Sequence, residues 1–166
     1  MHYPITLVDV VAIVLAAACL RTAVPDLAAW PRKLWRLGLP PFFGLLASLI
    51  VLAGAVVTPE HDIAWLAAAL CGATAGLLRG RHIAVVTDQV WGTVRVSVQY
   101  DAVAAAACIL AITFADSVSG LLPEDRLPGH ATMAAASGLF AGYLAGRAWS
   151  LARRAVANTH TELSAS

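Results

Sequence analysis

Residues 63–98 place an apolar run, a basic stop and a stretch of alternating β-branched residues in immediate succession, and few folds accept that order. The apolar run carries Gly72, Gly76 and Gly80 and stops at Arg79 and Arg81. Ile83 and Val85 then lead to Asp88-Gln89-Val90-Trp91-Gly92, after which Val94, Val96 and Val98 interleave with Thr93, Arg95 and Ser97. The first part reads as a helix that crosses a bilayer and ends at its charged surface. The second, residues 82–98, reads as a β-hairpin at that surface. A lone two-stranded hairpin is marginal in water, so this one is expected to lie against an interfacial segment or the lipid headgroups.

The rest of the chain fits the same frame. Apolar runs over residues 5–21, 41–57, 63–79, 101–116 and 131–149 are separated by short polar connectors. Only 13% of the residues are charged and 60% are apolar, against about 25% charged in a soluble domain. One core of this size could not hide that much apolar surface. The expected fold is therefore an all-α integral membrane protein: five transmembrane helices with a small cytoplasmic β-hairpin between helices three and four, forming one domain over residues 1–166. Several runs are close to the lower limit of about 17 residues for a crossing, which leaves little room for tilt.

The first run is read as a retained helix and not as a secretory signal, because Met1-His2-Tyr3-Pro4 lacks a positive n-region. The same missing charge argues against lipoprotein processing at Ala16-Ala17-Ala18-Cys19. After it, Trp30, Arg32, Lys33, Trp35 and Arg36 mix indole with basic side chains around Pro31. That chemistry belongs to a membrane–water boundary. The turn Thr58-Pro59-Glu60-His61-Asp62 closes span two, residues 116–130 form a polar outer loop, and residues 158–166 are expected to be disordered.

Five spans allow a firm orientation. With the N-terminus outside, Arg21, Arg32, Lys33, Arg36, Arg79, Arg81, Arg95, Arg147, Arg153 and Arg154 all fall in the cytoplasm, and Arg126 alone among eleven basic residues falls outside. A four-span or inverted arrangement would break the positive-inside rule. The chain is thus expected in the bacterial inner membrane, N-terminus outside and C-terminus cytoplasmic.

Gly138, Gly142 and Gly146 repeat Gly72, Gly76 and Gly80 after a constant 66 residues (138 − 72), and each series ends in Gly-Arg. Two parallel helical hairpins, spans two–three and four–five, account for the repeat. Glycine at every fourth position makes one stripe along a helix, and such a stripe lets a second backbone come close. It specifies helix contact, within the chain or between copies, and no chemistry.

Candidate chemistry is sparse. Asp9 and Asp101 are the acidic groups in or beside spans that could handle an ion or a proton. Asp9 is also near enough to the outer surface to reach headgroups, and Asp101 could pair with Arg79, Arg81 or Arg95 at the interface. His61 and His130, with His2 and the outer carboxylates, are of the type that binds zinc or copper, but no two histidines have helical i, i+4 spacing. Cys71 and Cys108 sit mid-span and could share a depth; with Cys19 they form no CxxC motif. Nothing resembles a Ser/His/Asp set or a phosphate loop, so no enzymatic activity and no cofactor are expected. No basic tail suggests nucleic acid.

Leu39-Pro40-Pro41 opening a span, Pro59-Glu60 closing it, a glycine-rich helix ending in Arg79 and Arg81, and a strand pair with Val94-Arg95-Val96 together resemble the CcdC-like family of bacterial membrane proteins. That resemblance implies a membrane protein whose family is named after a gene beside those for cytochrome c maturation. The chain lacks the CxxC pair of a thiol carrier, and its loop over residues 116–130 departs from the family pattern.

The leading functional expectation is a non-enzymatic accessory or assembly protein that packs through its Gly-xxx-Gly stripes as an oligomer or with a partner membrane protein. Trp30, Arg32, Lys33, Trp35, Arg36, Arg79 and Arg81 would meet anionic lipid. A small cation, proton or solute transporter and a metal- or thiol-handling accessory factor are the alternatives.

Overall fold

The computed structural model describes residues 6–28, 30–54, 59–88, 93–119 and 128–157. It is mostly α-helical, with helices α1 (Leu7–Ala23), α2 (Leu39–Gly54), α3 (Pro59–Arg81), α4 (Asp101–Ser119) and α5 (His130–Ala157). Strands β1 (Arg32–Lys33), β2 (Val85–Asp88) and β3 (Thr93–Val96) form one small sheet. Among the described residues, four stretches are long and apolar enough to cross a membrane: Leu7–Leu27, Leu34–Gly54, Pro59–Arg81 and Asp101–Ser119. The longest helix, α5, is not one of them.

Helix boundaries differ from the sequence expectation: α3, α4 and α5 are longer than expected, α1 keeps its length but is shifted two residues along the chain, and α2 starts two residues early. Pro40 and Pro41 lie inside the first turn of α2, where a missing N–H breaks no intrahelical bond. The residues read as a turn after span two, Pro59-Glu60-His61-Asp62, form the first turn of α3. Proline and carboxylates both suit that end of a helix. At 23 residues α3 is about 34 Å long, so the expected lack of tilt no longer follows. The expected end of span two at residues 55–57, the hairpin turn at 89–92, the middle of the outer loop at 120–127 and the disordered tail at 158–166 lie outside the described residues.

The hairpin gains a third strand. Strand β3 is central, pairing antiparallel with β2 (Val85 opposite Val96) and with β1 (Arg32 opposite Val94). Alternation puts Val94 and Val96 on a buried face and Arg95 on the exposed one. Ile83, Val85, Val94 and Val96 cover Leu151 and Ala155 near the C-terminus of α5, with Leu37 completing the cluster. The segment around Arg32 and Lys33 therefore supports the strand pair directly, by donating the third strand.

Helix α5 is the hub of the bundle. It packs against α2, α3 and α4, and its buried positions include Met133, Ala134, Ser137, Ala141, Leu144 and Leu151. The core between α1, α2, α4 and α5 is built of small side chains: Ala16, Cys19, Ala47, Ala102, Ala105, Ala106 and Ala141 surround Ile109 and Leu144. Small residues permit close axes, which is how helices gain dispersion energy where the surroundings are as apolar as the core. Helix α3 leans on α5 and little else. Gly72, Gly76 and Gly80 are its buried residues.

Candidate functional site

The glycine stripes meet each other. A Cβ on Gly72 would land on the Leu139 carbonyl and come within 2.9 Å of the Tyr143 nitrogen. At Gly76 it would strike the Tyr143 carbonyl and lie 2.8 Å from the Arg147 nitrogen, and at Gly80 it would lie 2.6 Å from Ser150 Cβ. Gly142 and Gly146 stand in the same relation to the backbones of Ala69 and Ala73. Positions rise together on both helices, so α3 and α5 are parallel. Gly138 differs: its neighbour is the Trp65 indole, 2.7 Å from the Cβ position.

That indole begins a buried polar chain. Trp65 Nε1 donates to Ser48 Oγ at 2.8 Å, the Ser48 and Ser137 hydroxyls are 3.0 Å apart, and Ser137 Oγ donates to the Ala134 carbonyl at 2.8 Å. Three helices, α3, α2 and α5, are pinned at one level. Both serines are fully buried, and each hydroxyl is satisfied, as an apolar interior demands.

The end of the bundle that carries the sheet holds a second and larger polar assembly. Asp26 lies in the 3-10 turn Val24–Leu27 that follows α1 and is 3% exposed. It ion-pairs with Arg32 of β1 and, at 2.8 Å, with Arg147 of α5. Arg147 Nε reaches Asp101 Oδ2 at 3.2 Å, and the same oxygen accepts from Tyr143 OH at 2.7 Å. Arg79 stands 3.6 Å from that carboxylate and donates to Gln99 Oε1 at 3.0 Å. Asp101 Oδ1 accepts from the Ala102 N–H in the first turn of α4, where the helix dipole favours a carboxylate. The Gln99 N–H donates to the Asp26 carbonyl, at 3.0 Å, closing the knot through the backbone. Two carboxylates thus tie the end of α1, β1, α3, α4 and α5 together through three guanidiniums.

Arg154 acts beside this knot. Its Nη1 donates to the carbonyls of Gly80, Arg81 and Ile83 at 3.1, 3.0 and 2.6 Å. Those acceptors lie at or just past the end of α3, which a cationic side chain caps well.

Several expected roles change. Arg32, expected at the lipid interface, is only 8% exposed and is held by Asp26. Burying a guanidinium is tolerable only beside a carboxylate, and Asp26 supplies it. Arg79 is exposed and stands 3.6 Å from Asp101, and Trp30, Lys33, Trp35, Arg36 and Arg81 are also exposed. Asp101 pairs mainly with Arg147 and Tyr143, with Arg79 more distant, and no ion pair joins it to Arg81 or Arg95 among the described residues. Asp9 is engaged in a capping box: its Oδ2 accepts from Thr6 N and Thr6 Oγ1, each at 2.7 Å. His130 Nδ1 lies 2.6 Å from Asp116 Oδ1, joining the start of α5 to the last turns of α4, and His61 is half-buried in the first turn of α3. Among the described residues no group of three His, Cys, Asp or Glu side chains is assembled to hold a metal. Cys71 is exposed on α3, which packs along α5, while Cys19 is buried with its thiol 3.2 Å from the Pro40 carbonyl.

Asp26 is the residue that sequence reasoning missed, along with the burial of Arg147. The available signal was a single carboxylate in a segment otherwise rich in Arg, Lys and Trp.

Set against known proteins, the chain matches no family model, no curated protein and no solved structure.

Proposed function

We propose that this chain is a non-enzymatic, five-span protein of a bacterial inner membrane that serves as an accessory or assembly component. The observation that carries the reading is the state of its intramembrane charges. Both candidate ion-handling carboxylates are engaged, Asp9 by the cap of its own helix and Asp101 by Tyr143, Arg147 and Arg79. Charges that satisfy one another serve to fix helix positions and register, whereas a transport path needs groups that a solute can reach.

Support for five spans comes from the parallel contact of α3 and α5. A helix sealed against α3 along Gly72, Gly76 and Gly80 must enter and leave the bilayer with it. Helix α5 can do so with fewer apolar residues because α2, α3 and α4 surround it. The sheet end collects the C-termini of α1, α3 and α5 and the N-termini of α2 and α4. That end carries ten of the eleven basic residues, which the positive-inside rule assigns to the cytoplasm. The glycine stripes are occupied within the chain, so a partner or a second copy would meet another face. The CcdC-like resemblance belongs to the same proposal and rests on the short motifs that suggested it.

Reconstitution tests the functional claim. Purified protein in proteoliposomes should pass no protons, cations or small solutes above the level of empty vesicles, while native mass spectrometry of gently solubilised membranes should find it with a protein partner or as a discrete oligomer. Flux that falls on Asp9→Asn or Asp101→Asn would replace this reading with a transporter.

A further inference from the structure

Beside the charged knot, on the far side of Arg32, lies a cleft of about 220 Å³. Arg21, Thr22, Pro25, Trp30, Arg32 and Arg36 are among the residues that line it, and no carboxylate does. Three segments converge there: the last turn of α1, the chain around β1, and the 3-10 turn Leu34–Gly38 that feeds α2. The three guanidiniums are not equivalent. Arg32 is fixed in place and largely neutralised by Asp26 behind it. Arg21 and Arg36 have no ion-pair partner among the described residues. Arg36 instead lies over the Trp35 ring, 5.5 Å from its centroid, and that stacking limits its freedom without using its charge.

We infer that this cleft binds the headgroup phosphate of an anionic phospholipid. Four observations converge on that ligand. The charge is positive and uncompensated at two of three guanidiniums, and guanidinium is the side chain best matched to a phosphate. The depth is right, because Arg21 lies in the last turn of α1, near the end of one stretch long enough to cross a membrane (Leu7–Leu27), and Leu39 lies near the start of the next (Leu34–Gly54). Trp30, 67% exposed, stands at the rim, where indole rings sit at headgroup level. The volume is below the roughly 300–1,000 Å³ of pockets for drug-sized ligands, enough for a headgroup whose chains remain in the bilayer.

The cleft differs from general attraction of a basic surface to lipid in being local. Arg95 and Arg153 belong to the same end of the molecule and are exposed, yet neither lines it. The inference rests on the membrane reading above and can fail without it.

The experiment uses the full chain purified in a neutral detergent, titrated separately with dioleoyl phosphatidylglycerol, dioleoyl phosphatidylcholine and soluble glycerol 3-phosphate. Bound lipid is counted by native mass spectrometry, and stabilisation is followed by thermal unfolding. Phosphatidylglycerol should remain bound and stabilise the protein, and the Arg21→Gln/Arg36→Gln variant should bind it about tenfold or more weakly. The Arg95→Gln/Arg153→Gln variant, with the same loss of charge, should bind as the parent does. Equal weakening by both double variants would reduce the effect to diffuse electrostatics and overturn the site. Equal binding of phosphatidylcholine would overturn the requirement for an anion. Binding of glycerol 3-phosphate as tightly as the lipid would assign the cleft to a soluble phosphate ester instead. If the Arg21/Arg36 variant does not fold, competition of phosphatidylglycerol against quenching of Trp30 in the parent, with Trp30→Phe as blank, reads the same site; no change there overturns it. A protein that stays soluble without detergent would defeat the membrane reading itself, a result distinct from all of these.

Discussion

Replacing Gly76 by alanine adds a methyl carbon where the backbone of α5 already lies. The new atom would strike the Tyr143 carbonyl oxygen and sit 2.8 Å from the Arg147 nitrogen, whereas ordinary contact begins at 3.4 Å. Neither neighbour is a side chain that can rotate away. The two helices must therefore separate by at least 0.6 Å (3.4 − 2.8) at that level. A gap of about 0.5–1 Å forfeits roughly a quarter to a half of each dispersion contact, and the loss extends along the stripe because α3 packs mainly on α5. Overpacking of this kind costs about 1–3 kcal/mol, which for a chain of this size lowers the unfolding midpoint by roughly 2–4 °C per kcal/mol. Gly38→Ala and Gly129→Ala are matched controls, because an added Cβ meets nothing within 4 Å at either position. Thermal unfolding in one detergent should rank Gly76→Ala and Gly142→Ala well below both controls. Equal midpoints for Gly76→Ala and Gly38→Ala would refute the claim that α3 is held by direct backbone contact with α5.

The charged knot makes a larger prediction: Asp26→Asn leaves Arg32 and Arg147 buried without their shared carboxylate and should cost about 3–5 kcal/mol, seen as loss of a monodisperse peak on size exclusion. Trp65→Phe keeps the ring but removes the donor to Ser48 and should cost about 1 kcal/mol, measurable as a shift in thermal midpoint that disappears in the Ser48→Ala background. For topology, single cysteines at Ser117 and Ser164, in a chain whose three native cysteines are changed to alanine, should label oppositely with a membrane-impermeant maleimide. Equal labelling of both from outside would eliminate an odd number of crossings.

Much of the architecture is written in local patterns. Long apolar runs require lipid or a very large core, so the runs around Ile63 and Ala102 announced membrane-length helices without any knowledge of their neighbours. Alternation at Thr93-Val94-Arg95-Val96 announced a strand because side chains on a pleated backbone point to opposite faces. The glycine spacing announced close helix contact, since only a missing Cβ admits a second backbone. These inferences need no information from distant residues.

The pairing of those elements was decided elsewhere. Nothing in the spacing of Gly72, Gly76 and Gly80 names α5 as their partner, because a stripe without side chains accepts any backbone of suitable shape. Asp26 and Arg147 are more than a hundred residues apart in the chain, and Arg32 reads as a surface cation until the 3-10 turn after α1 brings a carboxylate behind it. A charge can be buried only where its counter-charge is already fixed in space. That condition is a property of three folded segments at once, so the knot, the Arg154 cap on α3 and the basic cleft beside Arg32 emerge only with the tertiary structure.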